Sequence, residues 1–345
     1  MKLDQLFIAG IDTYLPTPVS IKQAVADGRY DAREAAETDL ESVLVADDEP
    51  ALDMAVHAAR GALTRSGIEP AAISLILHAS VYFQGLDLYG SASYLHHAAV
   101  GDHSALALEV KVASNGALYS LELAAAYLAA TPACPAALVT TADNFSTPLF
   151  DRWRATPGMV MADGAAAIVL SRQRGFARVV SLATVSDPAL EFVHRGRAPF
   201  SATPGPIDLR LRRADPPPDI TRDDVLRRFR TGLRTAVNRA LHDAHAELAS
   251  IAYVSLPHVG RAHLEKEYFQ ELEIPEAATT WKFGQRTGHV GAGDQLIGIS
   301  LLMDSGALNP GDRCLLIGVG MGFTWSCAVI EIQERLRPRP SPLFT

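Results

Sequence analysis

The sequence holds 345 residues, 48% of them hydrophobic and 20% charged, with a formal net charge of −8. That length suggests two domains or one large two-halved unit, and the apolar content suffices for a sizeable core. The acidic balance, with a pI near 5.8, argues against a nucleic-acid or membrane-surface protein.

The N-terminus, MKLDQLFIAGIDTYLP, lacks the long apolar run of a secretory signal, and no segment approaches a membrane span. A cytoplasmic location is therefore expected. Cys134, Cys314 and Cys327 are an odd number without metal-like spacing, as reduced thiols acting as small apolar residues would be.

In chain order, LDMAVHAARGALTRSGI (52–68) repeats apolar residues at helical spacing and predicts a helix stopped by Gly67. SLILHASV (74–81) predicts a buried strand, followed by the helix-like SASYLHHAAV and the strand LEVKVA. At Ser114-Asn115-Gly116 the chain turns into a long helix, and AALVTTAD (136–143) and AAAIVLSR (165–172) predict two further strands. From about 190 to 220 the chain is rich in Pro and charge and reads as a surface excursion. The alternation then resumes to the end.

The resumed pattern resembles the first. Residues 58–80 match 236–258 as helix, acidic turn and buried strand, and 120–143 match 297–320 likewise. This points to an internal duplication, with halves 1–172 and 173–345, and to α/β layers around mostly parallel sheets. Ser114 and the stretch around His289 then occupy equivalent strand-to-helix corners, which pseudo-symmetry could bring face to face across one site.

Two readings of Ser114 fit the sequence. Serine is a favoured helix cap, and a cap needs no further function. A helix N-terminus also offers free N–H groups and a positive dipole end to an oxyanion, and Gly116 would let a substrate approach the backbone closely. A serine nucleophile needs a base. Of eleven histidines, most sit in polar-flanked stretches such as His96-His97 and His242/His245. His258, after a buried strand and a proline, and His289, among glycines before a helix, stand apart. If His289 is on the extended corner and Asp294 in the first helical turn, the carboxylate can reach back to the ring, in the manner of a Ser-His-Asp triad. Charge complementarity at the helix N-terminus accounts for Asp294 equally well.

The glycine cluster in CLLIGVGMGFTWSCAVIEI (314–332) lies between two strands, with no helix and no acidic residue twenty positions on, so a dinucleotide site is rejected. These glycines suit a backbone crowding a reaction centre, with a main-chain N–H directed into it.

The corner VASNGALYSLELA, the strand-closing MADGAAAIVLS (161–171), YVSLPH (253–258) and the terminal PGDRCLLIGVGMGFTWSCAVIEI together resemble the thiolase superfamily, specifically β-ketoacyl carrier-protein synthase III, over nearly the whole length. The resemblance implies a thiolase fold of two duplicated βα halves in five αβαβα layers, a homodimer, and a cysteine–histidine–asparagine site. Ser114 stands at the cysteine position and His258 at the histidine position, while His289 replaces the asparagine, with Asp294 five residues on. This combination looks like the acyltransferases of antibiotic pathways.

On that resemblance the expected function is transfer of an acyl group from a carrier protein or coenzyme A, through Ser114, to a sugar hydroxyl or a carrier thiol. His289 would be the base, Asp294 its orienting partner and His258 an auxiliary that polarises the acyl carbonyl or the acceptor. The Ser114 and Met321 N–H groups would form the oxyanion hole. Neither metal nor cofactor is expected beyond the acyl-phosphopantetheine or acyl-CoA substrate. A starter-unit ketosynthase and a non-catalytic polyketide synthase partner are the alternatives. The arginines of 210–234, among them Arg210, Arg212, Arg213, Arg227 and Arg228, fit a docking patch for an acidic carrier protein and equally a solvated helix face.

Overall fold

The computed structural model describes residues 1–3, 5–146, 148–203, 205–218, 220–339 and 343. Its strands are β1 (Phe7–Tyr14), β2 (Thr17–Ser20), β3 (Ser42–Val45), β4 (Ile73–Ala79), β5 (Leu106–Val110), β6 (Ala136–Asp143), β7 (Gly164–Ser171), β8 (Ala177–Ser186), β9 (Tyr253–Ser255), β10 (Arg313–Gly320) and β11 (Thr324–Ile332). Four long helices matter most: α1 (Ala51–Ser66), α2 (Gly116–Ala130), α3 (Arg222–Asp243) and α4 (Asp294–Asp304).

Nine strands run in the order β5-β4-β6-β7-β1-β8-β11-β10-β9. With β2 and β3 set apart as a two-stranded sheet, the order reads the same outward from the β1–β8 junction: the first strand of each half, then its last, then its next to last, then β4 on one side and β9 on the other. The sheet is not mostly parallel as expected: β6–β7, β7–β1, β1–β8, β8–β11 and β11–β10 pair antiparallel, and the parallel pairs are β4 with β5, β4 with β6 and β9 with β10. In the second half, Thr279 makes a parallel bridge to Val254 of β9 at the place a third strand would take. Within the sheet the halves pair where Phe7 and Ile8 meet Arg178 and Ala177, continued by a bridge between Lys2 and Ser181.

Helix contacts give the layers. α1 packs on β1, β6 and β7, and α3 on β8 and β11. α2 touches β4 and β6 of one half and β10 and β11 of the other, and α4 likewise bridges β1 and β7 to β9 and β10. The sequence α1, sheet, α2 with α4, sheet, α3 is a five-layered αβαβα stack. α4 explains its own position, because ten of its residues, including Leu296, Ile297, Ile299 and Leu301, are buried. A helix apolar all round has to lie between two sheets rather than on one. By contrast α3 carries one buried stripe, Phe229, Leu233, Ala236, Val237 and Ala240, and a charged outer face, as an outer-layer helix requires.

Most predicted elements fall within a residue or two of the observed ones, and Gly67 ends α1 in the left-handed conformation, φ +60°. The strand expected through LEVKVA stops at Val110, and Ala113–Asn115 form a tight turn instead. The 190–220 excursion is not merely a surface loop. It contains the short helices Phe192–Arg195 and Leu209–Arg213, whose Phe192 and Leu209 are buried. Cys314 and Cys327 are buried, Cys134 is half-buried, and all three are free thiols. Among the described residues, no helix is long and apolar enough to cross a membrane.

Candidate active site

Ser114 sits in a three-residue turn between β5 and α2, preceded by Ala113 at φ +52°. A left-handed alanine costs about 1–2 kcal/mol, so the surrounding packing holds the serine on a sharp corner. Ser114 is not the helix cap. The cap position belongs to Asn115, which makes no side-chain capping bond. The Ser114 Oγ lies instead 2.7 Å from His289 Nε2.

Asn115 has a role that the sequence reading passed over. Its Nδ2 donates to Thr324 Oγ1 at 3.1 Å and to Ser326 Oγ at 2.9 Å, pinning the corner to β11. The available signal was the pair of hydroxyls two apart on one strand face. The expected role of Gly116 is corrected. A Cβ there would meet Ala79 Cβ at 2.6 Å and Ala292 Cβ at 3.0 Å, so its space is filled by the opposing corner and no substrate approaches it.

His289 reaches Ser114 from the equivalent corner of the second half. Its N–H donates to Val160 O at 3.0 Å, and its carbonyl accepts from Ala162 N at 2.8 Å. The MADGAA stretch is thus a main-chain clamp on the histidine. Asp163, in the same stretch, anchors the clamp by accepting both Arg152 terminal nitrogens, at 2.8 and 2.7 Å.

Asp294 opens α4 and turns back as expected. Its Oδ2 lies 2.5 Å from His289 Nδ1 and accepts the His258 N–H at 2.7 Å, while Oδ1 accepts the Val290 N–H at 2.8 Å. Burial alone would push the His289 ring toward neutrality and the Asp294 carboxyl toward protonation. Their mutual attraction outweighs it, so His289 titrates above its ordinary value and Asp294 below. With Nδ1 held by the carboxylate, Nε2 is the atom that can exchange a proton with Ser114.

Ser114 and His289 open onto a cavity of about 430 Å³. Its walls include Phe145, Phe150, Phe229 and Phe323, with Gly320 at the end of β10 and Met321 in the turn that follows. A Cβ on Gly320 would fall 2.3 Å from the Val112 carbonyl, so the glycine lets this turn press on the nucleophile corner. Met321 therefore lines the same cavity as Ser114. His258 does not line it among the described residues, although its neighbours Pro257 and Val259 do. Its ring is buried behind the relay, with Nδ1 2.8 Å from Thr287 Oγ1 and Nε2 without a partner among the described residues. Burial holds it below its ordinary pKa.

The arginine stretch does not form one open patch. Arg210 pairs with Glu34, Arg227 with Asp224 and Arg228 with Asp187. Arg212 and Arg213 line the cavity instead. Their positions follow from the buried Leu209, which turns this short helix inward. Among the described residues, no group of three or more His, Cys, Asp or Glu is placed to hold a metal ion.

Known proteins place this architecture. Residues 108–188 match the family described as 3-oxoacyl-[acyl-carrier-protein (ACP)] synthase III, and residues 241–332 match its C-terminal part. A β-ketoacyl-[acyl-carrier-protein] synthase III of Thermosynechococcus vestitus is 30% identical over 298 residues, covering 84% of this chain and 86% of that protein. The chain belongs to the synthase III family. It is accordingly a thiolase-fold enzyme of the transferase type. Within the family's reach, the acetoacetyl CoA synthase NphT7 of a Streptomyces species is 29% identical over 291 residues, covering 83% of this chain and 85% of that one. The solved structure of ChlB3, described as an acyltransferase, shares 37% identity at a TM-score of 0.92, covering 96% of this chain and 99% of that one.

Proposed function

We propose that this enzyme transfers an acyl group from a carrier-protein or coenzyme A thioester to a hydroxyl or carrier thiol, through an ester on Ser114. The observation that carries the reading is the contact series Ser114 Oγ–His289 Nε2, 2.7 Å, and His289 Nδ1–Asp294 Oδ2, 2.5 Å. An amide at position 289 could not act as a base, whereas an imidazole backed by a carboxylate can.

In the first half-reaction His289 Nε2 takes the Ser114 proton as Oγ bonds to the thioester carbonyl carbon. The oxyanion meets the Ser114 and Met321 N–H groups. The carbon–sulfur bond breaks, and the imidazolium returns the proton to the departing thiolate. In the second, an incoming hydroxyl or thiol gives its proton to His289 and bonds to the acyl carbon, the ester bond to Ser114 Oγ breaks, and the imidazolium returns the proton to Oγ. His258 assists from behind, chiefly through the backbone N–H that holds Asp294. The chemistry uses protein groups alone, with the acyl-phosphopantetheine or acyl-CoA entering as substrate. The resemblance of the Ser114, His289 and Asp294 positions to acyltransferases of antibiotic pathways supports a place in secondary metabolism, and the synthase III relatives named for the acyl carrier protein support it as a partner.

A homodimer through β5 accompanies this reading. β5 ends the sheet, with Leu106 53% and Leu108 51% exposed, and unpaired apolar edge strands invite pairing. Leu108→Arg should give a monomer by size exclusion with light scattering, and a persisting dimer would exclude that edge.

Intact-mass spectrometry after incubation with acyl-carrier or acyl-CoA donors tests the main reading. An acyl adduct that is lost in Ser114→Ala is expected, and no adduct with any donor would favour a non-catalytic partner. The names of the synthase relatives support a second reading, a starter-unit ketosynthase. Carbon dioxide release from a malonyl donor with a lengthened product would establish it instead.

A further inference from the structure

Beyond the relay, the cavity wall carries a polar cluster that acyl transfer as such does not require. His194 comes from the short helix Phe192–Arg195 and Arg213 from Leu209–Arg213, and both line the cavity that holds Ser114. Arg213 Nη2 donates to His194 Nε2 at 2.8 Å. A guanidinium only donates, so His194 accepts at Nε2 and carries its proton on Nδ1. His194 Nδ1 and Arg213 Nε are both shielded from solvent, and neither has a hydrogen-bond partner among the described residues. Buried donors are rarely left unpaired, and two of them beside a cationic group call for an oxygen that the chain does not supply.

The charge balance points the same way. Arg212 and Arg213 both line the cavity, and the carboxyl facing them is Glu267, on the wide helical turn Glu265–Phe269. Burial pushes the Glu267 carboxyl up to about 7, against the pull of Arg213, Arg230 and Lys266. The guanidinium therefore lacks a full counter-charge at neutral pH. Phe229 and Phe323 supply apolar walls in the same cavity. An acyl group bonded to Ser114 projects into this cavity.

Resting on the acyltransferase reading, we infer that the Arg213–His194 pair binds a carboxylate at the far end of the acyl group. The preferred donors are then monothioesters of dicarboxylic acids. Binding requires a small shift of the pair that opens Arg213 Nε and His194 Nδ1 to the carboxylate, and methylenes then fill the apolar stretch between it and the Ser114 ester.

The test uses pantetheine monothioesters of succinic, glutaric and adipic acids, each beside its methyl-ended counterpart, butyryl, pentanoyl and hexanoyl. Acylation of the full-length protein is timed by intact-mass spectrometry. At least one diacid should outpace its counterpart by about tenfold or more, the factor expected of a hydrogen bond to a charged group. Arg213→Gln and His194→Phe should each bring that ratio toward one, and Arg213→Lys should keep part of it. Ratios near one in the wild type, or a preference that survives Arg213→Gln, overturn the inference and leave acyl transfer standing. Should Arg213→Gln lose its cooperative thermal transition, the wild-type ratios decide alone. Absence of an adduct from all six thioesters overturns the transfer reading, and the inference with it.

Discussion

Gly116 and Ala292 meet where the two strand-to-helix corners cross: a Cβ on the glycine would lie 3.0 Å from the alanine Cβ. Ser114 precedes one side of this contact by two residues, and Asp294 follows the other by two. The relay thus spans residues from different halves, and the closeness of the corners sets its length. Gly116→Ala should force them apart, because the obstructing atoms are Ala79 and Ala292 Cβ atoms, not the ends of flexible chains. Overpacking of this kind costs about 1–3 kcal/mol, and small misplacements at a reacting centre can cost about a hundredfold in rate. A lowered thermal midpoint together with a slower Ser114 acylation is expected. Wild-type kinetics in Gly116→Ala would show that the contact does not set the relay.

The His289–Asp294 pair makes the pH dependence predictable in sign. A protonated imidazole cannot take the serine proton, and Asp294 holds the His289 ring above its ordinary value of 6.5. The acid limb of the acylation profile should therefore lie above 6.5. Asp294→Asn removes that support, so the limb should move to lower pH while the maximal rate falls. The stability linkage runs consistently. A raised imidazole pKa stabilises the fold below the unfolded value and fades as pH rises through the folded one. A depressed carboxyl pKa stabilises above the unfolded value and is lost as pH falls through the folded one. A limb that stays in place in Asp294→Asn would separate the profile from this pair.

The sequence carried the order of elements, the two corners and the Ser114–His289–Asp294 set, because each depends on local pattern: apolar period, glycine punctuation, and motifs that survive as strings. What it did not carry depends on contacts between distant segments. Nothing local to Asn115 says that Thr324 and Ser326 lie opposite it. Nothing local to LRLRR says that Arg213 turns inward while Arg210 turns to Glu34. That choice follows from Leu209 finding the core and from a carboxylate on a helix more than a hundred residues earlier. The capping reading of Ser114 fails for a related reason: the helix starts one residue later, with Asn115 at the cap position, and the Ser114 hydroxyl meets a partner from the other half.

Asn115 offers a test of how firmly the nucleophile corner must be held. Its two donated bonds tie the corner to β11, whose turn brings Met321 to the cavity. Asn115→Ala leaves the Thr324 and Ser326 hydroxyls without this donor in a buried setting, at a cost of about 1–3 kcal/mol. Thermal unfolding should register the loss. Acylation should slow further than the stability change alone accounts for, since the serine and the β10–β11 turn lose their common tie. A variant with lower stability and unaltered acylation would reduce Asn115 to a packing residue.

The assignment of the base rests on His289 and not on His258, although both contact Asp294. His289 lines the cavity and touches Ser114 Oγ, whereas His258 is 1% exposed and reaches Asp294 through its main-chain N–H. General-base loss costs about 10²–10⁴-fold, and His289→Ala should slow acylation by that order. His258→Asn keeps the backbone donor to Asp294 and should cost much less. It should leave the acid limb of the pH profile close to its wild-type position, because the carboxylate still faces His289. If His258→Asn abolished acylation while His289→Ala retained it, the two histidines would have to exchange roles. The carboxylate would then serve His258 as its primary partner, and the geometry for that is already near, since His258 Nδ1 lies 3.7 Å from Asp294 Oδ1.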